Sequence, residues 1–398
     1  AAQPDLIATA DGRLLLSWIE AQASGHALKF ATFADGAWSA PRTIARGDDW
    51  FVNWADTPHI AVTDDGALWA HWLQKSAAAT YAYDVALVRS DDDGASWSPP
   101  VLVNDDGTPT EHGFVSLWTA SPDTLGIAWL DGRETGGAGH GDHAAATADA
   151  QAAGAMTVRA ATFSADLQRS GDTRVDAMAC DCCQTDTALT ARGPLLVYRD
   201  RTAAEIRDIA VSRLQGGRWS AGRVVHADQW TMPACPVNGP SVDARGNEAV
   251  VAWYTAAGNT PTLKLARSID AGESFAAPVV FDSGPQVQGR VDVAYGTDAV
   301  WGVVAARGRR GPVAATGTVR RGPFKRTATH RSRPPAGPWP RHRLPATGGQ
   351  WRRCARGLDR RRRWRTAPAC RPRRHDPRPS TVPIRLVEPS LLSWALFP

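Results

Sequence analysis

Lysine is scarce in this chain: 398 residues hold four, at Lys29, Lys75, Lys264 and Lys325. Beside them stand 17 Trp, 36 Gly and 28 Pro, a balance that favours short strands joined by tight turns over helices. Also missing is any run of about 18 apolar residues, which excludes a helical membrane span. Recognisable cofactor loops are missing as well. Asp91-Asp92-Asp93-Gly94 lacks the ligand spacing and terminal Glu of an EF-hand. Gly137-Ala138-Gly139-His140-Gly141 opens no helix and lies in an Ala/Gly-rich insertion running to Gly154, so it reads as a flexible loop, with His140 and His143 as loop residues. No cofactor is predicted.

Acidic residues nearly vanish from the last quarter. Residues 1–304 carry 37 Asp+Glu against 21 Lys+Arg, whereas residues 305–398 carry 3 against 24. The chain therefore divides into an acidic unit, 1–304, and an Arg/Pro-rich tail, 305–398. A nucleic-acid-binding arm is one reading of that tail. An out-of-frame translation of GC-rich DNA is the preferred one, because the change falls inside a strand already under way. Gly302-Val303-Val304-Ala305-Ala306-Arg307-Gly308 can be encoded by codons that, shifted by one base, read W-W-L-R-E, which resembles the strand end Trp129-Leu130-Asp131. On this reading the tail is disordered or frameshifted, and a nucleic-acid partner is not expected.

What recurs is a unit of apolar strand, turn and second apolar strand ending in Trp or Tyr. It appears at Leu6–Ile19, His59–Trp72, Phe114–Trp129, Ala188–Tyr198 and Val242–Trp253. A third strand and an aromatic residue before a short fourth follow, as in Val85–Arg89 with Trp97 and Leu263–Arg267 with Phe275. Four strands at roughly 45–60 residues is the period of a propeller blade. A sixth unit opens at Arg290–Ala294 and fades after Trp301. The prediction is an all-β, six-bladed β-propeller whose sixth blade is incomplete or frameshifted.

Two turns carry a sharper signature. Ser90-Asp91-Asp92-Asp93-Gly94-Ala95-Ser96-Trp97 and Ser268-Ile269-Asp270-Ala271-Gly272-Glu273-Ser274-Phe275 both fit S-x-D-x-G-x-S-(W/F). Here the sequence resembles the Asp-box, or BNR, repeats of sialidase-like propellers of the neuraminidase superfamily. In such a turn the Asp accepts amides, Gly supplies a positive φ and the aromatic packs into the sheet core.

A propeller's inner strands start at one face and its second strands end there, with the Asp-box turns on the other. That face would gather Trp54, Asp56, Glu111 and His112, Cys182 through Thr185, Cys235 through Asn238 and Gln288 through Arg290, with Asp131, Tyr83, Tyr198 through Arg201, Glu205, Arg207 and Tyr254. Sialidases, as the resemblance implies, clamp a carboxylate with three Arg and use a Tyr nucleophile paired with Glu and an Asp acid/base. Clamp candidates are Arg133, Arg199, Arg201 and Arg290. Acid candidates are Asp56 and Asp131, and Tyr254 or Tyr83 would pair with Glu205. Trp54, His112 and Asn238 would line the ligand. The first blade lacks the Arg-Ile-Pro segment that supplies the first clamp Arg in that family, and Arg13 sits in a turn instead. The expected partner is a glycan, acidic or not, or another small ligand. A non-catalytic propeller scaffold is the alternative.

Cys180-Asp181-Cys182-Cys183 and Cys235-Pro236-Val237-Asn238 lead into neighbouring inner strands. A disulfide from Cys235 to Cys182 or Cys183 is the plainer expectation, and a thiolate metal site with His112 the other. Adjacent Cys182 and Cys183 weigh against a shared tetrahedral ion. Cys354 and Cys370 fall in the tail. The start at Ala1-Ala2-Gln3-Pro4 without Met, taken with this cysteine usage, predicts a periplasmic or secreted protein.

Overall fold

The computed structural model describes residues 2–136, 154–296, 299–308, 311–320 and 326–332. The described chain is an all-β propeller of antiparallel sheets taken up in chain order. The first blade is Ala2–Ala8, Leu14–Ala21, His26–Ala34 and Arg42–Gly47, with Ala37–Trp38 at its edge. The second is Ile60–Val62, Leu68–Lys75, Tyr83–Ser90 and Val101–Leu102, and the third is His112–Ser121, Thr124–Asp131, Thr157–Phe163 and Arg169–Asp176. The fourth is Asp186–Thr190, Gly193–Arg199, Ile209–Gln215 and Arg223–Val224, with Arg218–Trp219 beside it. The fifth is Ser241–Arg245, Glu248–Thr255, Thr262–Ser268 and Val279–Ser283.

The expectation of six blades reduces to these five. They are followed by a sheet of Val287–Tyr295, Ala299–Gly308, Gly311–Arg320 and Arg326–Ser332. Ala299–Gly308 runs across the point where the sequence changes character, so the position between residues 304 and 305 falls inside a paired strand. Backbone pairing of this kind needs no alternation of side chains, which is why the pattern of residues did not reveal it. The tail beyond Ser332, with Cys354 and Cys370, and the insertion with His140 and His143 lie outside the described residues.

Five apolar clusters fill the spaces between consecutive sheets. Leu15, Phe30, Leu68 and Trp72 pack between blades one and two, and Trp69, Tyr83, Ile127 and Trp129 between two and three. The second to fifth blades thus share both faces with neighbours, and their middle strands include long buried runs such as Leu68–Leu73.

Inner strands of different blades do not join one sheet, and buried or half-buried carboxylates tie several of them. Asp5 accepts from the amide of Ile60 at 3.2 Å, Asp56 from Phe114 at 2.8 Å, Asp186 from Val242 at 2.8 Å and Asp243 from Tyr295 at 2.7 Å. Each acid of one sheet thereby satisfies an amide of the next, a group that would otherwise be buried without a partner.

At the opposite end, the two S-x-D-x-G-x-S turns have the same bonding. Asp92 Oδ1 accepts from Ser96 N at 2.9 Å and from Ser90 Oγ at 2.8 Å, and Asp270 Oδ1 accepts from Ser274 N at 2.9 Å and from Ser268 Oγ at 2.6 Å. Gly94 and Gly272 have φ of +80° and +82°, and a Cβ on Gly94 would stand 2.4 Å from the Phe30 ring. Only glycine meets both demands there.

Candidate functional site

The loops that enter the inner strands meet at the channel mouth. Residues 53–56 are fixed locally, where Asn53 Oδ1 accepts the amides of Ala55 at 2.6 Å and Asp56 at 2.9 Å. Gln3 Nε2 donates to the carbonyls of Asn53 and, at 2.6 Å, of Asp56. Gln184 reaches across from the fourth blade, giving Nε2 to Ala55 O at 2.6 Å and accepting Gly239 N on Oε1 at 3.0 Å. One side chain thus straps loops of three blades.

Trp54 sits on this platform with 56% of its surface exposed, although the next two residues, Ala55 and Asp56, are buried. The guanidinium of Arg290 lies over its ring, 4.3 Å from the centroid. Arg290 has a left-handed φ of 55°, and Asn238 Oδ1 accepts its amide at 2.8 Å. Burial pulls its pKa down to about 10, so it remains charged at neutral pH. Asn238 therefore positions Arg290, while Asn238 Nδ2 donates to Pro236 O at 3.0 Å.

Behind Trp54, Asp56 is 1% exposed, and burial together with nearby Glu111 pushes its carboxyl to about 7. Tyr83 donates its hydroxyl to Glu111 Oε1 at 2.5 Å, in full burial. Burial and the Glu111 charge hold the phenol well above its ordinary value. A Cβ on Gly113 would touch both Asp56 and the Tyr83 ring, which places the three groups in one cluster. The expected partner of Tyr83 was Glu205. The structure pairs it with Glu111, which the parallel bridge between Tyr83 and Glu111 brings alongside. Glu111 was among the rim residues, but the bridge between blades that joins it to Tyr83 leaves no sequence spacing to read.

Most of the remaining rim charges are spent on the fold. Arg199 gives Nε to Asn238 O at 2.9 Å, Nη1 to Arg207 O at 2.5 Å and Nη2 to Tyr254 O at 2.7 Å, so it ties carbonyls instead of facing a ligand. Arg201 and Arg207 converge on Glu205 at 2.7 and 2.8 Å, and their hydrogen bonds outweigh its burial to keep Glu205 ionised. Tyr254 packs edge-on against Trp230, with ring centroids 5.7 Å apart. Asp131 is fully buried and takes Trp129 Nε1 at 2.7 Å and a bidentate contact from Arg133, both arms at 2.7 Å. Both oxygens of this carboxylate are thus engaged by side chains of its own blade.

His112 is enclosed by acids, with Nε2 3.0 Å from Asp106 and 3.7 Å from Asp131, and Nδ1 3.4 Å from Asp84. Burial would lower its pKa, but Asp106 and Asp131 outweigh it and raise it. Asp106, His112 and Asp131 are close enough to hold a cation. Arg133, 3.4 Å from Asp106, already supplies positive charge there, so the group reads as a closed ion-pair network. His112 consequently lies in this network and not with the thiols.

Thiols form the other donor set. The Sγ atoms of Cys180, Cys182 and Cys183 lie within 4.8 Å of one another, with Cys180 3.0 Å from Cys183 and 4.0 Å from Cys182. Cys182 also hydrogen-bonds Cys235. The expected disulfide is not formed, and all four are free thiols. Arg207 Nη1 donates to Cys180 Sγ at 3.2 Å. Burial would raise the Cys180 thiol, but the neighbouring thiols and Arg207 hold it well below its usual range.

A family model described as a BNR repeat-like domain matches residues 12–302. The chain belongs to the BNR repeat-like domain family. Solved structures resemble this BNR-type propeller at low identity. An ulvan lyase of a new polysaccharide lyase family, bound to -[GlcA(1-4)Rha3S]-, is 14% identical over 76% of both chains, with a TM-score of 0.46. AofleA from Arthrobotrys oligospora is 11% identical over 83% of this chain and 86% of its own, with a TM-score of 0.48. An alpha-L-arabinanase from Penicillium chrysogenum, complexed with arabinobiose, is 13% identical over 80% and 88%, with a TM-score of 0.43. No curated protein matches the chain. Among the described residues no helix is long and apolar enough to cross a membrane.

Proposed function

We propose that the channel mouth binds a carboxylated glycan, with Trp54 as the face on which a sugar ring stacks and Arg290 as the partner of its carboxylate. The observation that carries this reading is an exposed indole set on a rigid platform with a guanidinium over its ring. An exposed indole offers an apolar face on which a sugar ring can stack, and a planar guanidinium suits a carboxylate. The sheet that follows the five blades begins at Val287 and carries Arg290. A periplasmic or secreted setting would put such a mouth within reach of polymeric glycans.

Glycoside hydrolysis is a second reading, favoured by the pairing of Tyr83 with Glu111 beside a carboxyl that stays protonated to about pH 7. Asp56 would protonate the leaving oxygen, and Tyr83, with Glu111 accepting its proton, would be the nucleophile of the Asp-box sialidase pattern. A three-Arg clamp is not part of the reading, since Arg133, Arg199 and Arg201 are engaged elsewhere.

Calorimetric titration with sialyllactose, oligogalacturonate and neutral lactose tests the binding reading. Acidic ligands should bind and lactose should not. Equal binding of lactose, or none of any probe, would refute it. Release of fluorophore from a sialoside decides between binding alone and hydrolysis.

A further inference from the structure

The four described cysteines have no part in the glycan reading, and three of them are buried together. Residues 180–183 leave the third blade's last strand in a turn and not in extended chain. Side chains in a turn do not alternate, so adjacent Cys182 and Cys183 bring their sulfurs to one place with Cys180. All three are buried, and Cys235, half-buried on the next loop, meets Cys182.

One guanidinium touches these sulfurs, where Arg207 donates to Cys180 at 3.2 Å. Arg199 ends on carbonyls, with no carboxylate in contact among the described residues, and Glu205 neutralises Arg207 while Asp181 faces Arg201.

We propose that Cys180, Cys182 and Cys183 together bind one Cu(I) ion as a three-thiolate site, with Cys235 at its entrance from the channel mouth. Soft thiolates suit Cu(I), and three sulfurs within 4.8 Å of one another, with Cys180 3.0 Å from Cys183 and 4.0 Å from Cys182, need only small rotations to face a common centre. The Arg207 guanidinium beside Cys180 offsets the anionic complex and opposes further positive charge on the ion, which favours a monovalent over a divalent metal. Binding displaces the protons of the thiols that are still protonated, and no electron transfer is involved.

The test uses the full, reduced chain under anaerobic conditions, titrated with Cu(I) in competition with bicinchoninate and, separately, with Zn(II). One tightly held copper per chain is expected, with sulfur-to-copper absorption in the near ultraviolet and Cu–S scattering from about three sulfurs in X-ray absorption. The variant Cys180→Ser/Cys182→Ser/Cys183→Ser, which keeps Cys235, Cys354 and Cys370, should lose that copper. Near-ultraviolet circular dichroism reports whether it is folded, and Cys183→Ser alone should lower affinity at least about tenfold if the triple variant is not. The proposal is overturned if bicinchoninate keeps the copper, if the folded triple variant binds as the parent does, or if Zn(II) binds as tightly as Cu(I). It is also overturned if the protein isolated without reductant shows the two-proton mass loss of a disulfide between these cysteines and takes no copper after reduction.

Discussion

Aspartate serves at both ends of this propeller and behaves oppositely at each. At the turn end, Asp270 is only lightly buried, and the hydrogen bonds of Ser268 and Ser274 outweigh that burial and bring its carboxyl down to about 2. At the mouth end, Asp56 accepts one amide bond, but full burial dominates and brings it up to about 7. Hydrogen bonds hold the turn acid as an anion in its loop, whereas burial raises the mouth acid to near neutrality. Solvent access and the number of donors, and not residue type, separate structure from chemistry here.

The two ends can be set against each other by substitution. Arg199→Met should have the largest effect, about 3 kcal/mol or more in urea unfolding, because it leaves three buried carbonyls at the mouth without their donor. If Arg199 instead faced a ligand, stability would hardly change and affinity would fall. Asp270→Ala should cost about 1–2 kcal/mol by releasing the Ser274 amide and two serine hydroxyls, with ligand binding untouched.

Proton linkage sharpens the contrast. Asp56 binds more protons folded than unfolded between its ordinary value of 3.8 and about 7, so its contribution is fully present below that window and is lost as pH rises through it. Asp186, raised by burial to about 7, adds the same sign. Asp270 does the reverse, with stability lost as pH falls from 3.8 towards 2. Asp56→Asn should therefore flatten the decline between pH 4 and 7 by up to about 1.4 kcal/mol per pH unit, measured by unfolding midpoints across that range. An unchanged slope would mean that Asp56 is ionised throughout. Trp54→Ala should have the smallest effect on stability, within about 0.5 kcal/mol, since its ring is largely in solvent.

The turn end was legible in the sequence because its bonds are local. Ser90, Asp92, Gly94 and Ser96 lie within one turn, and repetition at Ser268 through Ser274 removes chance. The mouth was legible only as a roster of residues. Arg133 could have been assigned to Asp131 from its two-residue spacing at a strand end, but Arg199 bonds carbonyls 39 and 55 positions away, and Tyr83 finds Glu111 across a blade boundary. The strands after residue 304 were missed for a different reason. They pair through the backbone, which composition does not record.

The central claim is that the mouth, through Trp54 and Arg290, takes up an acidic glycan while the turn end only supports the ring. The direct measurement is the dissociation constant of one acidic oligosaccharide, oligogalacturonate or sialyllactose, for the parent, Trp54→Ala and Asp270→Ala, all verified as folded. A loss of about tenfold or more in Trp54→Ala with Asp270→Ala unchanged is the predicted result. Equal affinity in Trp54→Ala and the parent would contradict it.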